Sequence, residues 1–117
     1  MKKELKIDGR TLALSANAAT PIRYRMTFGS DIITEMSGIS KESPDFESLV
    51  TQMGYIMNKQ AEGDLSSLSF ENYLLWLEQF DDPLTFVNAA REIVSFYLQN
   101  IKTRSKSKNP KGPRTAK

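Results

Sequence analysis

The chain has 117 residues, 39% of them hydrophobic and 26% charged, and contains neither cysteine nor histidine. That excludes disulfides, thiolate or imidazole metal ligation, cysteine nucleophiles and every acid-base scheme built on histidine, and the length fits one domain. The net charge of +2 hides a split, because residues 1–101 hold nine Lys and Arg against fourteen Asp and Glu, a net −5, while residues 102–117 hold seven Lys and Arg and no acid. Met1-Lys2-Lys3 leads into no apolar run, and no stretch nears 18 apolar residues, so a soluble cytosolic protein without a membrane partner is expected.

Glu4-Leu5-Lys6-Ile7 and Thr11-Leu12-Ala13-Leu14 alternate polar with apolar around Asp8-Gly9-Arg10. Asp-Gly is a strong signal for a two-residue turn, so a β-hairpin is predicted over residues 4–14. Its Leu5, Ile7, Leu12 and Leu14 share a face that needs a helical cover. Residues 15–19 read as a connector. Thr20-Pro21 is a helix start, with the threonine hydroxyl placed to accept from an orphan N–H and the proline φ suited to the first turn. Tyr24, Phe28 and Ile32 then recur at four-residue spacing, beside a second row of Ile22, Met26, Gly29, Ile33 and Met36. One helix from Pro21 to about Met36 follows, with a broad buried face that includes Gly29 and a stop at Ser37-Gly38.

Ser43-Pro44 repeats the start signal, and Phe46, Leu49, Val50, Met53, Ile56 and Met57 predict a second helix closed by Gly63. After a loop at 66–69, Phe70, Tyr73, Leu74 and Leu77 make a third, shorter helix ending near Phe80, and Asp81-Asp82-Pro83 restarts the chain. Phe86, Ala90, Ile93, Tyr97 and Ile101, with Val87, Val94 and Leu98, form the most regular amphipathic row, about five turns long. Beyond Ile101 nothing is left to bury, which is the composition of disorder. The expectation is a mainly α fold: a small N-terminal hairpin and about four helices in one compact domain, residues 1–102, with a disordered basic tail or linker at 103–117.

Little in the chain suggests catalysis. Asp31 with Glu35, Glu71 with Glu78 and Asp81 with Asp82 pair carboxylates only on helix surfaces or caps, with no base or nucleophile beside them, and Asp81-Asp82 suits the positive end of a helix dipole. The glycines are scattered and Lys111-Gly112 reverses the phosphate-loop order. Neither enzyme activity nor a cofactor nor a metal is expected. The tail from Lys102 could neutralise phosphates, making a small nucleic-acid-associated or regulatory protein the rival reading, although the tail lacks a stacking aromatic and hangs on an acidic body. Trp76 with Phe80, and Met26, Met36, Met53 and Met57, fit core packing first and an adaptable partner surface second. Arg23 and Arg25 flank Tyr24 at about 100° per residue, one at each edge of the buried face, either pairing with Asp31 or Glu35 or contacting another protein.

The order of features, a hairpin turning at Asp8-Gly9, then Ala18-Ala19-Thr20-Pro21, Arg23-Tyr24-Arg25, Phe28-Gly29 and Asp31, then helices, resembles the tail assembly chaperones of long-tailed phages and prophages, especially those of Gram-positive hosts. The match spans about residues 4–36; where the pattern carries a second acidic residue after Arg-Tyr-Arg, this chain has Met26-Thr27. The resemblance implies a non-catalytic protein of the host cytoplasm, absent from the mature virion, that coats the tape measure protein, keeps it soluble and helps recruit tail tube subunits. It also implies a longer form made by a programmed frameshift, with the basic tail as linker, and allows a homo-oligomer. On that basis the partner surface is expected on the first helix, at Arg23, Tyr24, Arg25, Phe28, Asp31 and Met36, and on the exposed side of the last helix. A third reading is a tail-completion protein that stays in the particle.

Overall fold

Two antiparallel strands, β1 (Lys2–Ile7) and β2 (Arg10–Ser15), precede five helices: α1 (Thr20–Phe28), α2 (Ile32–Ser37), α3 (Phe46–Glu62), α4 (Phe70–Leu77) and α5 (Leu84–Lys108). The computed structural model describes residues 1–37, 46–81 and 84–108. The Ser43-Pro44 start, the Gly38 stop and the Asp82-Pro83 restart expected from the sequence lie outside the described residues, as does the tail at 109–117.

The hairpin turns where Asp8-Gly9 predicts. Both turn residues have positive φ, 55° and 75°, as a type I′ turn requires, and Ile7 pairs with Arg10 across it. The ladder runs from Lys2 opposite Ser15, so each strand is slightly longer than the alternation alone marks. Leu5 lies opposite Leu12, and these two with Ile7 and Leu14 are buried. Their cover is helical, with α3 over β2 and α5 against β1.

Helix α3 is the centre of the fold, touching β2 and every other helix. Leu49, Val50, Met53, Tyr55, Ile56 and Met57 are all buried, so the helix is apolar over most of its circumference, as a central helix must be. It ends in a Schellman motif: the Gly63 N–H reaches the Gln60 carbonyl at 3.3 Å and the Asp64 N–H the Lys59 carbonyl at 3.1 Å. Helix α4 starts at a Ser69 cap, whose Oγ accepts from the Asn72 N–H at 3.0 Å, and stops at Leu77, short of the expected Phe80. Rings from four helices and the segment after α4 meet at tilted or edge-to-face angles through the interior, from Tyr24–Phe28 at 5.1 Å to Phe80–Phe86 at 4.8 Å.

Two expectations about the helices need correction. The single helix predicted from Pro21 to Met36 is two, because Gly29 takes a left-handed conformation, φ 79°, and its N–H closes α1 on the Arg25 carbonyl at 2.8 Å. Asp31 then begins α2, its carbonyl accepting from the Glu35 N–H at 3.0 Å. Gly29 is therefore an exposed helix terminator and not a buried contact. At the other end, α5 continues through Lys108, six residues beyond the expected limit of the folded body. Lys and Arg are good helix formers and favour a helix C-terminus, and no Gly or Pro intervenes before Pro110, so the helix outlasts its apolar row.

Candidate functional site

Helix α1 is positioned from its first residue by α3. Thr20, expected to cap the helix, is its first helical residue, and the flanking Ala19 provides no side-chain cap. Instead the Thr20 hydroxyl, fully buried, accepts from the Asn17 N–H at 3.0 Å and from Gln60 Nε2 at 2.9 Å. Gln60 Nε2 also donates to the Ser15 carbonyl at 2.6 Å, and its Oε1 accepts from Arg23 Nη1 at 2.9 Å. One glutamine of α3 thus ties the end of β2, the start of α1 and the first arginine together. Asn58, two residues earlier, is a second tie: its Nδ2 donates to the Ala13 carbonyl at 2.8 Å while its Oδ1 accepts from Trp76 Nε1 at 2.9 Å. Trp76 is therefore a core residue with its polar tip satisfied.

The two arginines differ in circumstance. Arg23 is half-buried against Gln60, whereas Arg25 is exposed and has no ion-pair partner among the described residues. Neither meets Asp31 or Glu35, because the break at Gly29 turns α2 onto a new axis. Asp31 accepts from the Thr34 hydroxyl at 3.1 Å. Glu35 takes up the Ser30 hydroxyl at 2.6 Å and the Tyr24 phenol at 2.9 Å. That phenol also stands 2.8 Å from Gln52 Oε1, so its single proton serves one of two acceptors at a time.

Tyr24 itself is fully buried, which removes it from any contact surface and makes it the internal bolt between α1, α2 and α3. Burial, and then the bond to the Glu35 carboxylate, push its phenol far above the ordinary tyrosine range. Phe28 packs at 5.2 Å on Tyr73 and 6.2 Å on Phe70, and Met36 is half-buried against the same core. Of the six residues expected on the partner surface, Arg25 is exposed, Arg23, Phe28, Asp31 and Met36 are partly exposed, and Tyr24 is inside.

What α1 and α2 do show to solvent is apolar. Ile22, Met26 and Ile33 form the second row that the pattern assigned to the core, and Met26 is 80% exposed. The break at Gly29 narrows the inward face to Tyr24, Phe28 and Ile32, leaving Ile22, Met26 and Ile33 of the other row outside while Met36 still packs against the core. Helix α4 adds Phe70, Leu74 and Leu75, exposed by 52%, 42% and 57%. Between α4 and the start of α3 lies an open groove of about 260 Å³, with Phe70, Tyr73, Leu74 and Leu77 on one side and Glu47, Thr51 and Gln52 on the other. The sequence carried a signal for it in the unbroken Tyr73-Leu74-Leu75-Trp76-Leu77, too many apolar residues for one helix to bury on one face. Gln60, Asn58 and Gln52 carried none, since a polar residue in an amphipathic pattern reads as solvent-facing.

Among the described residues no three acidic side chains come together as a metal site, and no helix is long and apolar enough to cross a membrane. No protein-family model, no curated protein and no solved structure matches the chain.

Proposed function

We propose that this chain is a phage tail assembly chaperone that acts by binding and without catalysis. It would hold the tape measure protein soluble in the host cytoplasm, help recruit tail tube subunits, and leave before the virion is complete. The observation that carries the reading is the exposure of Ile22, Met26, Ile33, Phe70, Leu74 and Leu75 on α1, α2 and α4, with the exposed Arg25 preceding Met26 in α1. Large apolar side chains grouped on helices, with methionine among them and a charge at the edge, suit the transient capture of amphipathic helices. The residues Arg23-Tyr24-Arg25, Phe28-Gly29 and Asp31, which carry the resemblance to this family, lie in the same part of the molecule.

Co-expression with the tape measure protein encoded beside it tests the reading. The expected outcome is a soluble tape measure that co-purifies with this chain; an insoluble tape measure counts against it. The rival is favoured by one observation, the seven positive charges of residues 102–117 without an acid. A labelled oligonucleotide whose binding falls steeply with salt, and vanishes when residues 103–117 are deleted, would support that rival instead.

A further inference from the structure

Among the described residues, the charge that lines the groove between α3 and α4 is negative. Glu47 lines it from the first turn of α3. Glu71 in the first turn of α4 and Glu78 just after its end, both exposed, stand three residues before and four after Leu74, which lines the groove. No Lys or Arg occurs in α4, and the first in α3 is Lys59, about three turns from Glu47. The Tyr73 hydroxyl in its lining is already joined to Thr51 Oγ1 at 2.7 Å, with burial holding the phenol above its usual range. Something apolar therefore fits between the walls, and something cationic fits along the rim.

We infer that this groove docks an amphipathic helix bearing apolar anchors at i, i+3 or i+4 and i+7, flanked by Lys or Arg. A volume of about 260 Å³ takes one to two large apolar side chains, given that roughly 150 Å³ accommodates a benzene ring. Phe70, Leu74 and Leu77 rise along two turns of α4, the spacing that ridges of a third helix fill when laid against two others. The chain's own basic stretch answers only half of this requirement, since residues 102–117 contain no large apolar side chain. The inference deepens the chaperone reading by giving its partner a chemistry, and rests on that reading only for the partner's identity.

The probe is a labelled synthetic helix of about 18 residues with leucines at that spacing and lysines on both flanks, titrated with the full chain and followed by fluorescence anisotropy. Saturable binding is expected, weakened about tenfold or more by Leu74→Asp, a change of roughly 1.4 kcal/mol or more. Leu74 is exposed enough to leave the core intact, and the double variant Glu47→Lys with Glu78→Lys provides a second arm at two exposed sites. That variant should lose affinity for the lysine peptide and gain it for a glutamate-flanked version, whereas Glu92→Lys on α5 should change neither. No binding by the wild type, equal binding of the two peptides, or equal sensitivity to Glu92→Lys would overturn the inference. So would a wild-type oligomer that Leu74→Asp dissolves, which would assign the groove to a second copy. If the groove variants lose the peptide yet still solubilise the tape measure, the groove stands and its link to the chaperone activity falls. If they keep the peptide, the groove falls whatever the tape measure does.

Discussion

Asn58 is 2% exposed and holds one partner on each side of α3, the Ala13 carbonyl of the hairpin and the indole N–H of α4. Its substitution by alanine strands both. Each orphaned buried group costs on the order of 1–3 kcal/mol, so Asn58→Ala should lose about 2–4 kcal/mol in urea unfolding, far beyond a typical polar-to-alanine change on a helix. The arginines separate by the same logic. Arg25→Ala removes a side chain with no described partner and should leave stability within about 0.5 kcal/mol, while reducing the amount of tape measure that co-purifies. Arg23→Ala also strips Gln60 Oε1 of its donor and should shift both readouts. Full co-purification by a stable Arg25→Ala variant would take Arg25 off the partner surface.

At the scale of elements, two glycines in helical sequence should respond to alanine with opposite signs. Gly29 sits at φ 79°, where a Cβ meets the following carbonyl, so Gly29→Ala should cost about 1–2 kcal/mol. Gly54 lies inside α3, and a Cβ there would find Phe86, Trp76 and Ile93 at 3.6 to 3.9 Å, ordinary contact distances. Gly54→Ala should therefore be neutral or gain up to about 1 kcal/mol from helix propensity. Thermal melts of the two variants check the pair. The same glycines show what the sequence made legible. Period and turn chemistry mark the hairpin, its buried face, and a helix in each place where α3, α4 and α5 lie, though not the end of α4, because each has one dominant signal. They place Gly29 in the packed row because Ile32, Ile33 and Met36 continue the apolar spacing past it. Only the local run Gly29-Ser30-Asp31, a left-handed stop followed by a capping acid, marks the break. The groove on α4 was half legible, as surplus leucine; its acidic rim depends on how α3 is set beside α4, a tertiary arrangement that no single element encodes.

At the scale of the whole molecule, the aromatic cluster couples the helices to pH. Burial raises the phenols of Tyr24, Tyr55 and Tyr73, with the Glu35 carboxylate adding to the first. These rings form one connected interior, Phe28 bridging Tyr24 to Tyr55 and Tyr73, so ionising any one of them places charge among α1, α3 and α4 together. In the unfolded chain the phenols ionise near pH 10, roughly the model-peptide value, while in the folded protein they stay protonated to higher pH. Above that point the folded state holds more protons than the unfolded state, so stability must fall as pH rises; below it the contribution is fully present. The urea midpoint should accordingly be lower at about pH 11 than at about pH 8. Tyr24→Phe isolates the share of the Tyr24 phenol. The variant should start from a lower midpoint at about pH 8, having lost its bonds to Glu35 and Gln52, and then decline less steeply than the wild type. An equally steep decline would mean that the alkaline sensitivity originates at the surface, and that the Tyr24 bolt contributes packing and hydrogen bonds without a titration of its own.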